Sequence, residues 1–445
     1  MRLAPTSNGE DRIGLGRLAV TKLMWNAGEW LKKPLTIATF CVGVISTPLQ
    51  AQQLRVLTSM PPSFYQPFVV AFGELFPDVK VAVLNKNTNA SVDELLRGNE
   101  RRFDVFWSSS PEAFELLKQN GHLTASDTFG APDVYSFAYS ALGWTRKRTG
   151  PSAKTADWEA LLATDKTGTI AMARPSRSGS THMMLERTLQ VRGWQEGWAY
   201  LLELAGNLST ITARSFTVLD GVANGRFEIG LTIDFLAHAR AEDDLTFIYG
   251  TPVMVTPARI GILAGGNAPA AAHHFVEFVV SDAGQRLLMT PDIARTPHSA
   301  SIRAEATAPY HQVLENALTL NWLEYDAALA SERYWAVNAL FDAFVFDVFE
   351  TRREAWRRLR VLEAQHDAPT VEMHKIRRLL TSFPIGETDV GNEGRATNGN
   401  AFATLSDQQK SSVQAWREAS RGILHKADSL LRVLEQRAAQ DVVRD

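Results

Sequence analysis

The sequence predicts an α/β protein built on largely parallel sheets and closed by an all-helical C-terminal region. Three observations carry this. From Leu54 onward, short β-branched and leucine runs alternate with hydroxyl-rich turns and stretches of helical spacing. After about Ala304 that alternation stops and long amphipathic patterns take over. The 445 residues, 45% hydrophobic and 21% charged, have an ordinary soluble globular balance with room for two or three lobes.

Ahead of the first strand, "WLKKPLTIATFCVGVISTPLQAQQ" has the order of an export signal: Lys32 and Lys33, an apolar run from Leu35 to Ile45, a break at Pro48 and a small residue, Ala51, suited to cleavage. The apolar run falls short of the about 20 residues a membrane span needs. An uncleaved anchor is the alternative. Met24 begins a segment of normal signal length and is the other candidate start. Cys41, the single cysteine, lies inside the segment, so cleavage after Ala51 leaves none, which suits an oxidising compartment such as the periplasm.

"LRVLTS" reads as the first strand and breaks at Pro61-Pro62. The next helix, "SFYQPFVVAFGELFP", has Ser63 and Gln66 in capping-box positions. "VKVAVLN" is a second strand, followed by "SVDELLRG", which Ser91 can cap. In the third unit the strand ends at Trp107, Ser110 sits at the N-cap, Pro111 at the first helical position and Gly121 past the end. "VYSFAYSALGWT" is strand-like and leads through "RKRTGPSAK" to a second lobe. There "GTIAMA", a helix from about Ser180, "NLSTITARSF", a helix capped by Thr217 and "EIGLTIDF" repeat the alternation. "VMVTPARIGILAGG" returns as extended chain, and "PAAAHHFVEFVVSDAGQRLLM" is a helix pair broken near Asp282 to Gly284.

Residues 331–364 then form one long amphipathic pattern, with Leu340, Phe341, Phe344, Val348 and Phe349 at 3/4 spacing. "GETDVGNEGRATNGNA" reads as a flexible linker, and Ser406 with Gln409 opens a last helix to about Ala439. The expected division is signal 1–51, first lobe 52–145, second lobe 146–250, return to the first lobe 251–304, helical extension 305–385, linker 386–404 and terminal helix 405–445.

The net charge of −3 gives no global reason to expect nucleic acid. No CxxC or Cys/His zinc pattern exists, His273-His274 reads as a solvated helix start, and no metal or cofactor is expected. Asp243-Asp244 lies in a polar stretch, and there is no GxSxG elbow, P-loop, GxGxxG after a strand or HExxH. Serine-rich loops without a paired base argue for binding rather than turnover, so an enzyme is not expected.

In open α/β sheets, ligands sit beyond the carboxyl ends of the strands. Thr58 and Ser59, Thr88, Ser109 and Ser110, the loop "RPSRSGST" and Asp234 all fall at such ends. In that loop Arg177, Ser178, Ser180 and Thr181 precede or open a helix, where unpartnered backbone N–H groups and the helix dipole favour an anion. "TARSF" sets Arg214 and Ser215 before another helix. Plain capping by Ser178 or Ser180, a surface role for Arg214 and a cap role for Asp234 are the competing readings. Otherwise Asp234 would accept hydrogen bonds from ligand hydroxyls.

The run "RPSRSGSTHMMLERTLQVRGWQEGWAYLLELAGNLSTITARSF" resembles the family 1 extracellular (periplasmic) solute-binding proteins, in the branch that regulates phosphoglycerate transport, near the ferric-iron and hexose-phosphate binders. The pieces carrying it are "PSRS", His182, "GNL", "RSF", "SSP" at Ser109 to Pro111 and "TS" at Thr58, and the likeness runs from about Leu54 to Ser382. Where the branch has an acidic residue after the second motif serine, this chain has Gly179. The resemblance implies a type 2 periplasmic-binding fold of two lobes closing on a small anionic, phosphorylated metabolite, as a monomer. It implies partnership with a membrane sensor kinase or an ABC permease. Ferric binders of this group share an adjacent tyrosine pair that ligates the metal, and none of the eight tyrosines here is adjacent to another. A helical interaction protein with no small ligand is the third possibility. The region after Ala304 is expected to serve partner docking or to buttress the first lobe, without contributing to ligand affinity.

Overall fold

The computed structural model describes residues 52–124, 133–148, 155–320, 325–394 and 405–444. The expected signal segment and Cys41 lie outside them, as do 149–154 of the expected crossing between lobes.

The first lobe alternates β1 (Gln52–Thr58), α1 (Pro62–Leu75), β2 (Val79–Asn85), α2 (Thr88–Leu96), β3 (Val105–Ser108) and α3 (Pro111–Gln119). The chain crosses on β4 (Val134–Lys147) and the short β5 (Thr155–Asp157). The second lobe is β6 (Ile170–Ala173), α4 (Gly179–Arg192), α5 (Trp194–Leu204), β7 (Leu208–Thr212), α6 (Ser215–Ala223), β8 (Ile229–Ile233) and α7 (Asp234–His238). The return is β9 (Leu245–Ile262), α8 (Pro269–Val280), α9 (Asp282–Leu287) and β10 (Thr296–Pro297).

The strands form one continuous sheet in the order β2-β1-β3-β9-β4-β8-β6-β7, with β10 on β4 and β5 on β9. β2-β1-β3 and β8-β6-β7 are each parallel, whereas β9 is antiparallel to β3 and β4, and β4 to β8. The long β4/β9 pair is therefore the joint between two parallel lobes. Its register shifts between Leu142 and Gly143. A Cβ on Gly143 would lie 2.3 Å from the carbonyl of Ile248, so the strands pass there only because no side chain intervenes. Both faces of each parallel half are covered by helices, which is why β3, β6 and β8 read as near-continuous apolar runs.

Helix starts differ from the expected caps in three places. α1 begins at Pro62 behind Pro61, so Ser63 is an exposed residue inside the first turn. Asn87, not Ser91, caps α2 by accepting from the Ala90 N–H at 2.8 Å, and this starts the helix four residues earlier. α6 starts at Ser215 rather than at Thr217.

The rest is helical: α10 (Ala300–Arg303), α11 (Pro309–Thr319), α12 (Ala327–Glu332), α13 (Tyr334–Phe341), α14 (Phe349–Glu363), α15 (Val371–Leu380), α16 (Glu387–Gly394) and α17 (Asp407–Arg444). The single long helix expected over 331–364 is broken. Arg333 interrupts it, and residues Asp342–Phe346 form a π turn. Tertiary partners explain both breaks. The Arg333 guanidinium turns to Glu186 of α4, with Nε 3.0 Å from Oε1. Arg174 holds Asp342 through two bonds of 2.8 and 2.7 Å, and Arg352 donates to the Phe344 carbonyl at 2.8 Å.

The expected linker also contains structure. α16 forms because Val390 is fully buried and Glu387 pairs with Arg333; residues 395–404 lie outside the described set. Ser406 and Gln409 do form the capping box that opens α17. α14, α15 and α17 share a core of Leu359, Ile376, Leu380, Leu424, Ala427 and Leu431. Trp356 anchors that layer on the second lobe, stacking over Gly206 and donating to the Leu202 carbonyl at 3.1 Å. α12 and α13 touch both lobes: Gln119 donates to Ser331 at 3.0 Å and Tyr334 bonds Asn89 in the first, while Asn338 bonds His182 at 3.2 Å in the second; Tyr325, just before α12, donates to Glu112 at 3.0 Å.

Candidate functional site

Five helices, α1, α2 and α3 from one lobe and α4 and α6 from the other, begin just beyond strand carboxyl ends, and their first turns surround one cavity of about 70 Å³. That is several times the roughly 10–15 Å³ a single water needs on the same measure. The first lobe contributes Ser59, Met60, Pro61, Asn87, Thr88, Ser109 and Ser110 to its lining. The second contributes Arg177, Ser178, Gly179, Ser180, Arg214, Ser215, Phe216, Ile233, Phe235 and Leu236.

On the second-lobe wall three hydroxyls hold one another. Ser215 Oγ lies 2.7 Å from both Ser178 Oγ and Ser180 Oγ, which are 3.2 Å apart. Ser178 also caps α4, accepting from the Thr181 N–H at 3.4 Å and from the Thr181 hydroxyl at 3.0 Å. Capping and lining are therefore roles of the same residue. Each hydroxyl carries one proton that an arriving anion can accept, and each helix start adds N–H groups without an intrahelical partner. The α4 and α6 dipoles each favour an anion by about 0.3–1 kcal/mol, more when partly buried.

The lobes meet across the cavity. Arg214 Nη1 donates to Asn85 Oδ1 at 3.3 Å, and Asn89 Nδ2 donates to the Ser176 carbonyl at 2.7 Å. A Cβ on Gly179 would lie 2.6 Å from Thr88 Oγ1 and 3.3 Å from Ser110 Cβ. Glycine is what permits this approach, and an acidic side chain at this position would enter the space Thr88 fills.

Among the described residues, neither Arg177 nor Arg214 is paired with a carboxylate. Arg177 is exposed, while Arg214 is half-buried with its guanidinium 5.2 Å from the Phe216 ring. Among the described residues no carboxylate or phenolate lines the cavity; its charges are arginines and its oxygens belong to hydroxyls, amides and carbonyls.

Three expected site residues are not brought to the cavity. The Thr58 hydroxyl is fully buried, donating to the Trp107 carbonyl at 2.8 Å and accepting from the Met60 N–H at 3.1 Å. Thr181 is spent on Ser178. Asp234 is buried behind the wall and accepts from the Phe235 N–H at 2.7 Å. Burial pushes its carboxyl up to about 7, against backbone hydrogen bonds and the attraction of Arg295. Burial likewise pushes Glu112 up to about 7; it accepts the Ser110 hydroxyl proton, so Ser110 keeps no proton to offer a ligand.

Sequence reading missed Met60, Asn87 and the apolar wall of Phe216, Ile233, Phe235 and Leu236. Asn87 was accessible, being a capping residue type just beyond a strand. The apolar wall was not, because a buried run at a strand end looks the same whether it faces core or cleft.

The chain matches the bacterial extracellular solute-binding protein family over residues 61–290. It is 30% identical over 324 residues to the phosphoglycerate transport regulatory protein PgtC of Salmonella typhimurium, covering 69% of this chain and 79% of that one. Among solved structures it is similar to the periplasmic binding protein AfuA of Actinobacillus pleuropneumoniae, with exogenous fructose-6-phosphate bound: 17% identity, TM-score 0.57, 65% of this chain and 98% of that one. Apo ferric ion-binding protein A of Pasteurella haemolytica is also similar, at 13% identity and TM-score 0.55, over 66% and 97%. These structures share the type 2 periplasmic-binding fold with the two lobes described here.

Proposed function

We propose that this chain, which belongs to the bacterial extracellular solute-binding protein family, captures a small phosphorylated acid between its lobes and presents it to a membrane partner from the periplasm. The observation that carries this is the cavity lining among the described residues: three clustered hydroxyls at two helix N-termini, two arginines without carboxylate partners, and no anionic oxygen. Such a lining repels a hard cation and attracts an anion. A bidentate arginine contact adds about 1.5–3 kcal/mol to the helix-dipole terms, and several such contacts reach the about 8 kcal/mol of micromolar binding.

The similarity to PgtC supports a phosphoglycerate as the ligand and a sensor kinase as the partner; delivery to an ABC permease is the second reading. The helical region, which contacts both lobes through α12 and α13, favours the regulatory role. In that role the chain binds without turning over its ligand, and it acts as a monomer.

Calorimetry with 3-phosphoglycerate, glycerate, inorganic phosphate and ferric citrate tests the ligand class. The phosphorylated acid should bind at micromolar concentration and glycerate at least about tenfold more weakly, the loss of one charged contact. Tightest binding by ferric citrate would replace this reading with iron transport. Binding by none of them would leave a helical interaction protein.

The helical tail separates stability from affinity. Removing residues 386–445 takes away α16 and α17 and uncovers Trp335, Leu359 and Leu380, so the melting temperature should fall. Neither helix lines the cavity, so 3-phosphoglycerate affinity by calorimetry should stay within about threefold. A larger loss would place the tail in ligand recognition.

A further inference from the structure

Arg295 follows α9 in the return to the first lobe and is 1% exposed. Its surroundings are unusual for a buried guanidinium. Nη2 donates to Ser109 Oγ at 3.1 Å, and Nη1 meets the Met60 sulfur at 3.7 Å. Nε has no partner. The rings of Phe64, Phe137 and Phe235 lie around it, with centroids 5.5, 5.4 and 4.5 Å from the guanidinium carbon. Three other buried arginines, Arg333, Arg352 and Arg360, are better compensated. Arg333 holds Glu186, Arg352 holds the carbonyls of Phe344 and Leu380, and Arg360 holds the Gly206 carbonyl and Asn207. Among the described residues Arg295 has no carboxylate within ion-pair distance. The nearby acid, Asp234, has its carboxyl raised toward neutrality, which leaves the surroundings positive.

A buried charge without a partner costs free energy and persists where something compensates it. Met60, Ser109 and Phe235, three of the groups packed on Arg295, all line the cavity. Resting on the anion-binding reading above, we propose that Arg295 is the concealed positive charge of the site. It acts through Ser109 and sets the preference for ligands of higher negative charge. By donating to a lone pair of Ser109, it leaves that hydroxyl's own proton free to point at a bound anion. Adjacent Ser110, whose proton is committed to Glu112, keeps none to offer. Of the two serines, Ser109 is thus the donor. Arg295 lies in the low-dielectric wall, where salt screens it far less than the exposed Arg177.

The test measures 3-phosphoglycerate and glycerate binding by calorimetry, and apo melting, for wild type, R295M, R295K, S109A and R295M/S109A. R295M keeps similar volume without charge. It should weaken 3-phosphoglycerate binding by about 10- to 100-fold and shrink its preference over glycerate, while the apo protein melts no lower than wild type. R295K should recover part of the affinity, and S109A should cost little more in the R295M background. A core role makes the opposite forecast. An R295M chain that fails to fold or melts well below wild type, unchanged affinity, or additive losses for R295M and S109A would each overturn the proposal. Wild type that binds neither compound would defeat the anion reading itself, before Arg295 is at issue.

Discussion

Replacing Gly179 by leucine should weaken 3-phosphoglycerate binding by more than about a hundredfold, or about 2.8 kcal/mol. Gly179 is the first residue of α4 and its backbone φ is outside the left-handed region, so leucine is conformationally acceptable there. The cost arises across the cleft. A Cβ would come within 2.6 Å of Thr88 Oγ1, 3.2 Å of Thr88 Cβ and 3.3 Å of Ser110 Cβ, all on the other lobe. The remaining leucine atoms need space that exists only if the lobes separate. Separation breaks the contacts of Arg214 with Asn85 and of Asn89 with Ser176, and it leaves an anion facing one wall. Gly179→Ala adds only the Cβ, which Thr88 can relieve by turning, so its loss should be much smaller. Calorimetry on the two variants checks the ordering. Full affinity in Gly179→Leu would mean that the lobes do not close on the ligand at this point.

The Arg214→Ala variant should lose about 1.5–3 kcal/mol of binding, ten- to hundredfold in affinity, with little change in apo melting temperature. The guanidinium lines the cavity, half-buried, and its one described hydrogen bond is a 3.3 Å contact to an amide oxygen. With no carboxylate to release, its removal breaks no ion pair, and the charge is fully engaged only when a ligand anion arrives. Ser178→Ala should cost less, because the backbone N–H groups of α4 remain, although the lost cap lowers stability by up to about 1 kcal/mol. A strongly destabilised apo Arg214→Ala protein, or one with unchanged affinity, would return Arg214 to an ordinary surface role.

What was legible in the sequence follows from the range of the forces involved. Strand ends, hydroxyl turns and the Ser178 start of α4 are local, since a cap and its helix lie within four residues of each other. The loops that converge on the cleft could therefore be named without knowing how they meet. Helix starts failed where a better cap lay a few residues upstream, as with Asn87 before Ser91. The break at Arg333 and the π turn at Asp342 were invisible, because Glu186 and Arg174 cause them from about 150 residues away. Arg295 was hidden for the same reason. Nothing near "DIARTPH" marks an arginine that folds back against Ser109, and only the assembled core shows that it lacks a carboxylate. Asp234 illustrates the converse: its position at a strand end was readable, but not that its carboxyl turns to the Phe235 N–H.

Native mass spectrometry of the protein released from the periplasm of cells tests the central claim most directly, because it asks what the cleft holds before any ligand is chosen. The protein should carry a small phosphorylated acid, seen as a mass increment that Gly179→Leu loses. A wild-type protein that carries iron, or that shows no increment and gains none when phosphorylated acids are added, would contradict the account.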